Sequence, residues 1–404
     1  MKLIPNGVCA PQGFRANGIH CGIRADLSKK DLALIVSQRK AAAAAVYTTS
    51  LIKGAPLHVT KQNIADGYAQ AVICNSGNAN TCNPNGIEVA RGMCALVAEK
   101  LGMDATDVLV ASTGLIGKPL SLEPMAQGMD ELCAGLSYNG SSAAAQAIMS
   151  TDTVPKELAV EFTLGGKICR MGAIAKGSGM IHPNMATMLV FLTTDAAISP
   201  EMLQKALSGD IQKTFNMLSV DGDTSTNDMV TILANGMAGN PEITTEGEDF
   251  TAFMQALNTI TVNLCRQIAG DGEGATKLLE CIATGAESED TAKKCAKSVI
   301  CSSMVKAAMF GCDPEVGWML GALGSSGGDF DVAQLGIALR SAKGTVQLCE
   351  KGVGIPFCMD FAKEILAEKE IEILLSLGCG PYSATAWGCD LTYDYVKING
   401  NFSS

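Results

Sequence analysis

Short apolar runs separated by glycine-rich polar stretches dominate this chain. Asp31-Leu-Ala-Leu-Ile-Val and the residues that follow it, to about residue 50, read as strands. The alanine run 41–45 fits a helix equally well by propensity. Ala71-Val-Ile-Cys-Asn reads as a short strand ending in a polar loop, Asn75-Ser-Gly-Asn-Ala-Asn. From Ile87 to Leu101 apolar residues recur at 87, 90, 93, 94, 97 and 101, which is helical spacing, and Gly102 stops that helix. Val108-Leu-Val-Ala is a further strand and runs into Ser112-Thr-Gly-Leu-Ile-Gly. Met188-Leu-Val-Phe-Leu-Thr-Thr is a buried strand bounded by Asp195. Residues 201–219 read as a helix, Met229-Val-Thr-Ile-Leu as a strand, and 289–310 as one long helix ended by Gly311 and Pro314. Ile371-Glu-Ile-Leu-Leu-Ser-Leu is a strand, with a turn at Gly378. Strands and helices mix along the whole chain, which predicts a layered α/β protein.

A length of 404 residues exceeds one ordinary core, so two packed lobes are expected. With 47% hydrophobic and 18% charged residues, the chain is folded and well buried rather than disordered. The net charge of −11 and the lack of a basic block argue against nucleic acid as a partner. The 16 cysteines include no CxxC and sit among apolar neighbours, as at Cys74, Cys94, Cys265 and Cys301. They read as reduced, buried thiols of a cytoplasmic protein rather than a disulfide framework. Three scattered histidines, His20, His58 and His182, offer no zinc spacing, and no metal is expected. Pro5 and Asn6 interrupt the N-terminus before any signal-peptide core forms. No uncharged apolar run approaches the ~18 residues of a membrane span.

The run from Lys176 to Val190 carries the sharpest chemical signal. A glycine-rich polar stretch with a proline leads to Ala186-Thr187, and Thr187 begins a run of strand formers. A threonine so placed often just opens a buried strand. Here Ala186 leaves its carbonyl open, and Gly177 and Gly179 let the backbone bend. Attack of the hydroxyl on that carbonyl would convert the amide to an ester, which water cleaves. The freed α-amine has a reference pKa of about 7.7–8.0 and can act as base near neutral pH. A threonine nucleophile with its own terminal amine is an established arrangement.

Other candidates are weaker singly. Thr113 and Gly114 follow a strand, where a hydroxyl and an N–H can point at one oxygen; a plain turn is the simpler reading. Lys176 lies eleven residues before Thr187 and can bind a carboxylate as a point charge, or be a solvated surface lysine. Glu273, within Gly270-Asp-Gly-Glu-Gly-Ala-Thr, can hold an amine, and its flanking glycines suggest close approach of a ligand. The same glycines follow no βαβ pattern, so a dinucleotide site is rejected. Asp221-Gly-Asp-Thr-Ser-Thr-Asn-Asp fails as a calcium loop, with Thr226 and Ile232 where glycine and glutamate belong. It reads as a polar turn shaping the site or an interface. His182, five residues before the bond, is isolated.

Taken together these segments resemble the ornithine acetyltransferases, or glutamate N-acetyltransferases, of arginine biosynthesis. The matching pieces are Asn75-Ser-Gly-Asn-Ala-Asn, Ser112-Thr-Gly-Leu-Ile-Gly, Ile148-Met-Ser-Thr-Asp-Thr, the Lys176–Leu189 run, the 221–228 turn, Gly270-Asp-Gly-Glu-Gly-Ala-Thr-Lys and Tyr393-Asp-Tyr-Val-Lys-Ile-Asn. The resemblance implies an αββα-type sandwich, with helices flanking two stacked sheets. It implies self-cleavage before Thr187 into an α chain, 1–186, and a β chain, 187–404, associated as α2β2. Thr187 is then the nucleophile that takes acetyl from N-acetylornithine and passes it to glutamate, with no cofactor. Acetyl-CoA is left open as a second donor, and hydrolysis by an aminopeptidase or amidase of similar architecture is the alternative. Thr113 and Gly114 match the family's oxyanion pair. Its substrate-binding positions fall on Ser150 and Thr151, Lys176, Thr187, Glu273, Asn399 and Ser404. Two departures stand out: the family usually has two threonines at 150–151, and its usual tail closes on threonine where this chain has Ser404.

Overall fold

The computed structural model describes residues 1–182 and 188–400. Sixteen strands are found among them. In chain order they are β1 (Lys2–Ile4), β2 (Phe14–Ile19), β3 (Leu32–Tyr47), β4 (Tyr68–Asn78), β5 (Val108–Leu115), β6 (Lys156–Leu164), β7 (Lys167–Lys176) and β8 (Leu189–Thr194). Then come β9 (Leu218–Ser219), β10 (Met229–Ala234), β11 (Leu278–Ala286), β12 (Gly336–Ser341), β13 (Gly344–Glu350), β14 (Val353–Gly354), β15 (Glu370–Ser376) and β16 (Tyr382–Cys389). One nine-stranded sheet runs β1-β6-β7-β8-β10-β3-β4-β5, with β2 also on β3; a seven-stranded sheet runs β14-β13-β12-β15-β11-β16-β9.

The larger sheet folds over on itself, and β3 is the reason. Its exposed centre, Gln38 to Lys40, coincides with a register break against β4 between Val36 and Ala41. Side chains alternate across a strand, so odd and even positions serve different layers. Ala33, Ile35, Ala41 and Ala43 face an inner layer with Val72 and Leu109 on one side and Ile174, Phe191 and Leu233 on the other. Leu34 and Val36 pack outward on Val89, Met93 and Met125. Ala42, Ala44 and Val46 pack outward, past the bend, in one core with Leu203, Leu207 and Ile260. Helices Gly86–Leu101 and Glu123–Ala134 cover one outer face; Pro200–Ile211 and Glu248–Gly270 cover the other. This is the expected αββα sandwich, with its two layers belonging to one folded sheet. The alanine run is strand, because alanines let the two layers and the helices approach closely.

The second lobe is the seven-stranded sheet with helix Glu289–Cys301. Leu279, Cys281, Ile371 and Ile373 share a core with Leu257, Ile260 and Leu264, so helix Glu248–Gly270 joins the lobes. The sequence pattern did not signal that helix, the longest among the described residues.

Several expected elements differ. The predicted helix 201–219 ends at Ile211 and gives way to a 3-10 turn at Phe215–Met217 and to β9. The predicted helix 289–310 is two helices, Glu289–Cys301 and Ser303–Phe310. Ser302 is extended, with ψ 114°, and its side chain accepts the Val305 N–H, so it caps a new helix where periodicity continued. The predicted loops after Ala71–Asn75 and after Val108–Ala111 begin as strand, since β4 and β5 pair in parallel out to Asn78 and Leu115. Gly102 stops its helix as expected, at φ 68° with its N–H on Ala98 O.

Residues on either side of position 187 interleave. β8 and β10 sit in mid-sheet, with β8 antiparallel to β7 (Lys176 opposite Leu189) and β10 antiparallel to β3 (Met229 opposite Tyr47).

Candidate active site

Thr113, Gly114, Ser150, Thr151, Lys176, Glu273 and Asn399 all line one cavity of about 320 Å³. The same cavity takes in Ser225, Thr226 and Asn227 of the acidic turn, so that turn does shape the site. Ala186, Thr187 and Ser404 lie outside the described residues. A small recess against the cavity is lined by Thr113, Lys176, Met188, Leu189 and Asp228, and Met188 directly follows Thr187 in sequence. Two larger clefts, of about 610 and about 840 Å³, lie along the second sheet and contain none of the candidates. Chemistry rather than size therefore locates the site.

Parallel pairing of β4 and β5 delivers Thr113 and Gly114. Ser76 is opposite Thr113, and Gly77 is opposite Gly114. Gly114 adopts φ +128°, and a Cβ there would lie 2.2 Å from Gly77 C and 2.5 Å from Asn78 N. Only glycine fits. Polar residues hold the strand ends: Ser112 Oγ donates to Asn75 Oδ1 at 2.5 Å, and Asn75 Nδ2 donates to Asn78 O at 2.9 Å. Asn227 Nδ2 donates to Ala79 O at 2.6 Å and Ser112 O at 3.0 Å, and so fixes the backbone before Thr113.

Lys176 ends β7 and is only 9% exposed, which rules out a solvated surface lysine. Its Nζ donates to Thr113 Oγ1 at 3.4 Å, a contact that leaves the Thr113 hydroxyl proton available for donation. Glu273 is buried, and its N–H donates to Ser178 O at 3.0 Å. Asn399 Nδ2, in helix Tyr393–Gly400, donates to Glu273 Oε2 at 2.7 Å.

The glycines around Glu273 make room for protein, not for a ligand. A Cβ on Gly274, at φ +68°, would meet Tyr395 N at 2.6 Å, and one on Gly272 would meet Cys389 Sγ at 2.8 Å. Gly179 has a direct site role, because a Cβ there would fall 2.2–2.3 Å from the Glu273 carboxyl atoms.

The segment leading to 187 is clamped from the acidic turn. Met180 and Ile181 N–H groups donate to the two Asp221 oxygens at 2.6 and 2.8 Å. His182 does not line the cavity; its Nδ1 lies 3.1 Å from Ser219 Oγ and 3.6 Å from Cys301 Sγ. Burial, then Lys297, lowers its pKa against the pull of Asp221. The cysteines are free thiols, and burial pushes Cys9, Cys94 and Cys169 up to about 12, which suppresses reactive thiolate. Among the described residues no group of three or more His, Cys, Asp or Glu side chains is placed to hold a metal ion. No helix among them is long and apolar enough to cross a membrane.

Sequence reasoning did not single out the buried ion-pair cluster of Asp152, Lys156 and Asp271. Lys156 Nζ pairs with Asp152 Oδ1 at 2.7 Å and Asp271 Oδ2 at 2.5 Å. The partners are up to 115 residues apart in sequence, and Lys156 falls in no motif, so no local signal announced the cluster.

The sandwich and its half-open cavity define an α/β protein with a pocket of small-molecule size. The chain belongs to the ArgJ family, whose model matches residues 15–404. It is 48% identical over 403 residues to the arginine biosynthesis bifunctional protein ArgJ of Caldanaerobacter subterraneus subsp. tengcongensis, with both chains covered completely. It is 47% identical over 404 residues to the protein of the same name from Symbiobacterium thermophilum, again with complete coverage. Among solved structures, an arginine biosynthesis bifunctional protein from Bacillus halodurans matches with a TM-score of 0.51 and 41% identity. That match covers 54% of this chain and 100% of the other.

Proposed function

We propose that this protein is a self-processing acetyltransferase of arginine biosynthesis, working in the cytoplasm. It moves the acetyl group of N-acetylornithine to glutamate through an acetyl-Thr187 ester. The observation that carries the reading is the single cavity joining one buried cation, Lys176, one buried carboxylate, Glu273, and the Thr113–Gly114 pair. The names of the relatives and the family membership agree with it.

In this reading Thr187 first attacks the Ala186 carbonyl, and water releases the two chains, 1–186 and 187–404. The interleaved strands explain how two chains stay together after the cut, and α2β2 is the assembly proposed. Thr187 Oγ then attacks the acetyl carbonyl of N-acetylornithine. The Thr113 hydroxyl and Gly114 N–H stabilise the oxyanion. The C–N bond breaks, and ornithine leaves with the proton that the Thr187 amine took from the hydroxyl. Glutamate attacks the ester next; its amine loses a proton and Thr187 Oγ regains one. Donor and acceptor share an α-amino-acid end, so one pocket serves both in turn. Lys176 holds a carboxylate and Glu273 an amine, aided by Asn399, Ser404 and the Ser150–Thr151 turn. The ester stores the activated acetyl group, and no cofactor is required. The relatives are called bifunctional, and acetyl-CoA is the proposed second donor.

Ornithine release from N-acetylornithine, followed with and without glutamate, tests the reading. Release that depends on glutamate, with N-acetylglutamate formed in equal amount, is expected. Equal release without glutamate would make the protein a hydrolase.

A further inference from the structure

Behind the cavity sits a neutral cluster of buried charges. Lys156 opens β6 with 0% exposure; Asp152 and Asp271 are 8% exposed and Lys176 is 9% exposed. Both lysines act on Asp152. Burial alone would raise its pKa, but the charges of Lys176 and Lys156 and the Gly177 N–H outweigh burial and hold it at about 2. Only Lys156 makes the direct ion pair, at 2.7 Å. Lys176 turns instead to Thr113 Oγ1, at 3.4 Å, on the cavity side.

The other contacts of Asp152 reinforce that arrangement. Its Oδ1 also accepts the Gly177 N–H at 2.7 Å, and its Oδ2 accepts the Ser150 N–H at 3.0 Å. Asp271 holds Lys156 from the far side and also accepts the Thr153 N–H at 3.1 Å. A buried carboxylate and a nearby ammonium gain most by closing to direct contact, unless another cation already fills the carboxylate. Without Lys156, the cations left acting on Asp152 are Lys176 and Arg24, and Arg24 is engaged through its guanidinium with Met149 O.

We propose that Lys156 is a positioning residue for substrate binding: by filling Asp152 it keeps the Lys176 ammonium turned to the cavity, where a substrate carboxylate takes it. The proposal rests on the reading of Lys176 as the carboxylate-binding cation. Lys156 itself does not line the cavity.

Steady-state transfer by the purified full-length gene product tests it with three variants. Lys156→Met with Asp271→Asn removes one charge of each sign and leaves Asp152 facing Lys176. The KM for both N-acetylornithine and glutamate rises by about tenfold, the worth of one charge-assisted hydrogen bond, while kcat stays within about threefold. Lys156→Arg keeps a cation on Asp152 and returns KM toward that of the parent. Lys176→Met raises both KM values by itself. A double variant with unchanged KM, or one that loses kcat at unchanged KM, overturns the positioning role if Lys176→Met still raises KM. An unchanged KM in Lys176→Met overturns the underlying reading instead. If the double variant does not fold, the arginine variant decides: a tenfold rise in its KM at constant kcat, despite a retained cation, contradicts the proposal, and a KM near the parent's supports it.

Discussion

Gly114→Ala separates the oxyanion pair from the rest of the pocket. The added Cβ would stand 2.2 Å from Gly77 C, 2.5 Å from Asn78 N and 2.6 Å from Gly77 O, all of them backbone. Ordinary van der Waals contact begins near 3.4 Å, so β4 and β5 must part by about 1 Å where Gly77 faces Gly114. The φ of +128° adds strain on the order of 1–3 kcal/mol for alanine. A 1 Å misplacement costs ~10²-fold in rate, and loss of one oxyanion donor ~10²–10³-fold. Lys176, Glu273 and Asn399 stand on β7, the 271–274 turn and helix Tyr393–Gly400, not on the two strands that part, and only Lys176 touches the neighbour of Gly114, through Thr113 Oγ1. The expected result is therefore a kcat lowered by about 10²–10³ with KM little changed. Stability falls by a few kcal/mol at most, because the clash is confined to the strand ends. Initial rates of N-acetylglutamate formation measure the first quantity and urea unfolding the second. Self-cleavage, read on a denaturing gel, slows as well, since it needs the same oxyanion support. A folded variant that transfers acetyl at the parent rate would refute the oxyanion assignment.

Three further outcomes are expected. Thr187→Ala abolishes both cleavage and transfer, judged by gel and by ornithine release; substantial transfer would remove Thr187 as nucleophile. Lys176→Ala leaves the fold intact by circular dichroism and raises KM for both amino acids by about tenfold or more. Asp152 has a folded pKa of about 2, below its ordinary value, so the stability it adds is present above about pH 4 and is lost as pH falls toward 2. That difference is worth roughly 2 kcal/mol, and urea midpoints of the parent and Asp152→Asn should converge across the same window. Midpoints that keep a constant gap would show that the carboxylate is not paired as described.

Apolar runs exposed much of the fold in the sequence. The strands at 71, 108, 188, 229 and 371 and the helix ended by Gly102 were all legible from period and punctuation. What escaped depends on distant partners. Asn75 to Asn78 and Ser112 to Leu115 read as loops because they are polar, yet they pair as strand since their polar groups satisfy one another at the rim of the site. Ser302 broke a helix through a capping bond that periodicity does not register. The fold-over of β3 was hidden in an alanine run with no preference between helix and strand. For the site, motif residues converged on one cavity, but the glycines around Glu273 proved to accommodate the C-terminal helix. Asp152 and Asp271 fall in quoted motifs, but their pairing through Lys156 was not legible, because one buried lysine resembles any other until its partners are placed.

Intact mass measurement of the active protein after N-acetylornithine alone addresses the central claim most directly. Two chains are predicted, one ending at Ala186 and one beginning Thr-Met-Leu-Val. The second should carry the mass of one acetyl group at its first residue and lose it when glutamate is added. An active preparation consisting of a single uncut chain, or one whose acetyl group never resides on Thr187, would contradict the account.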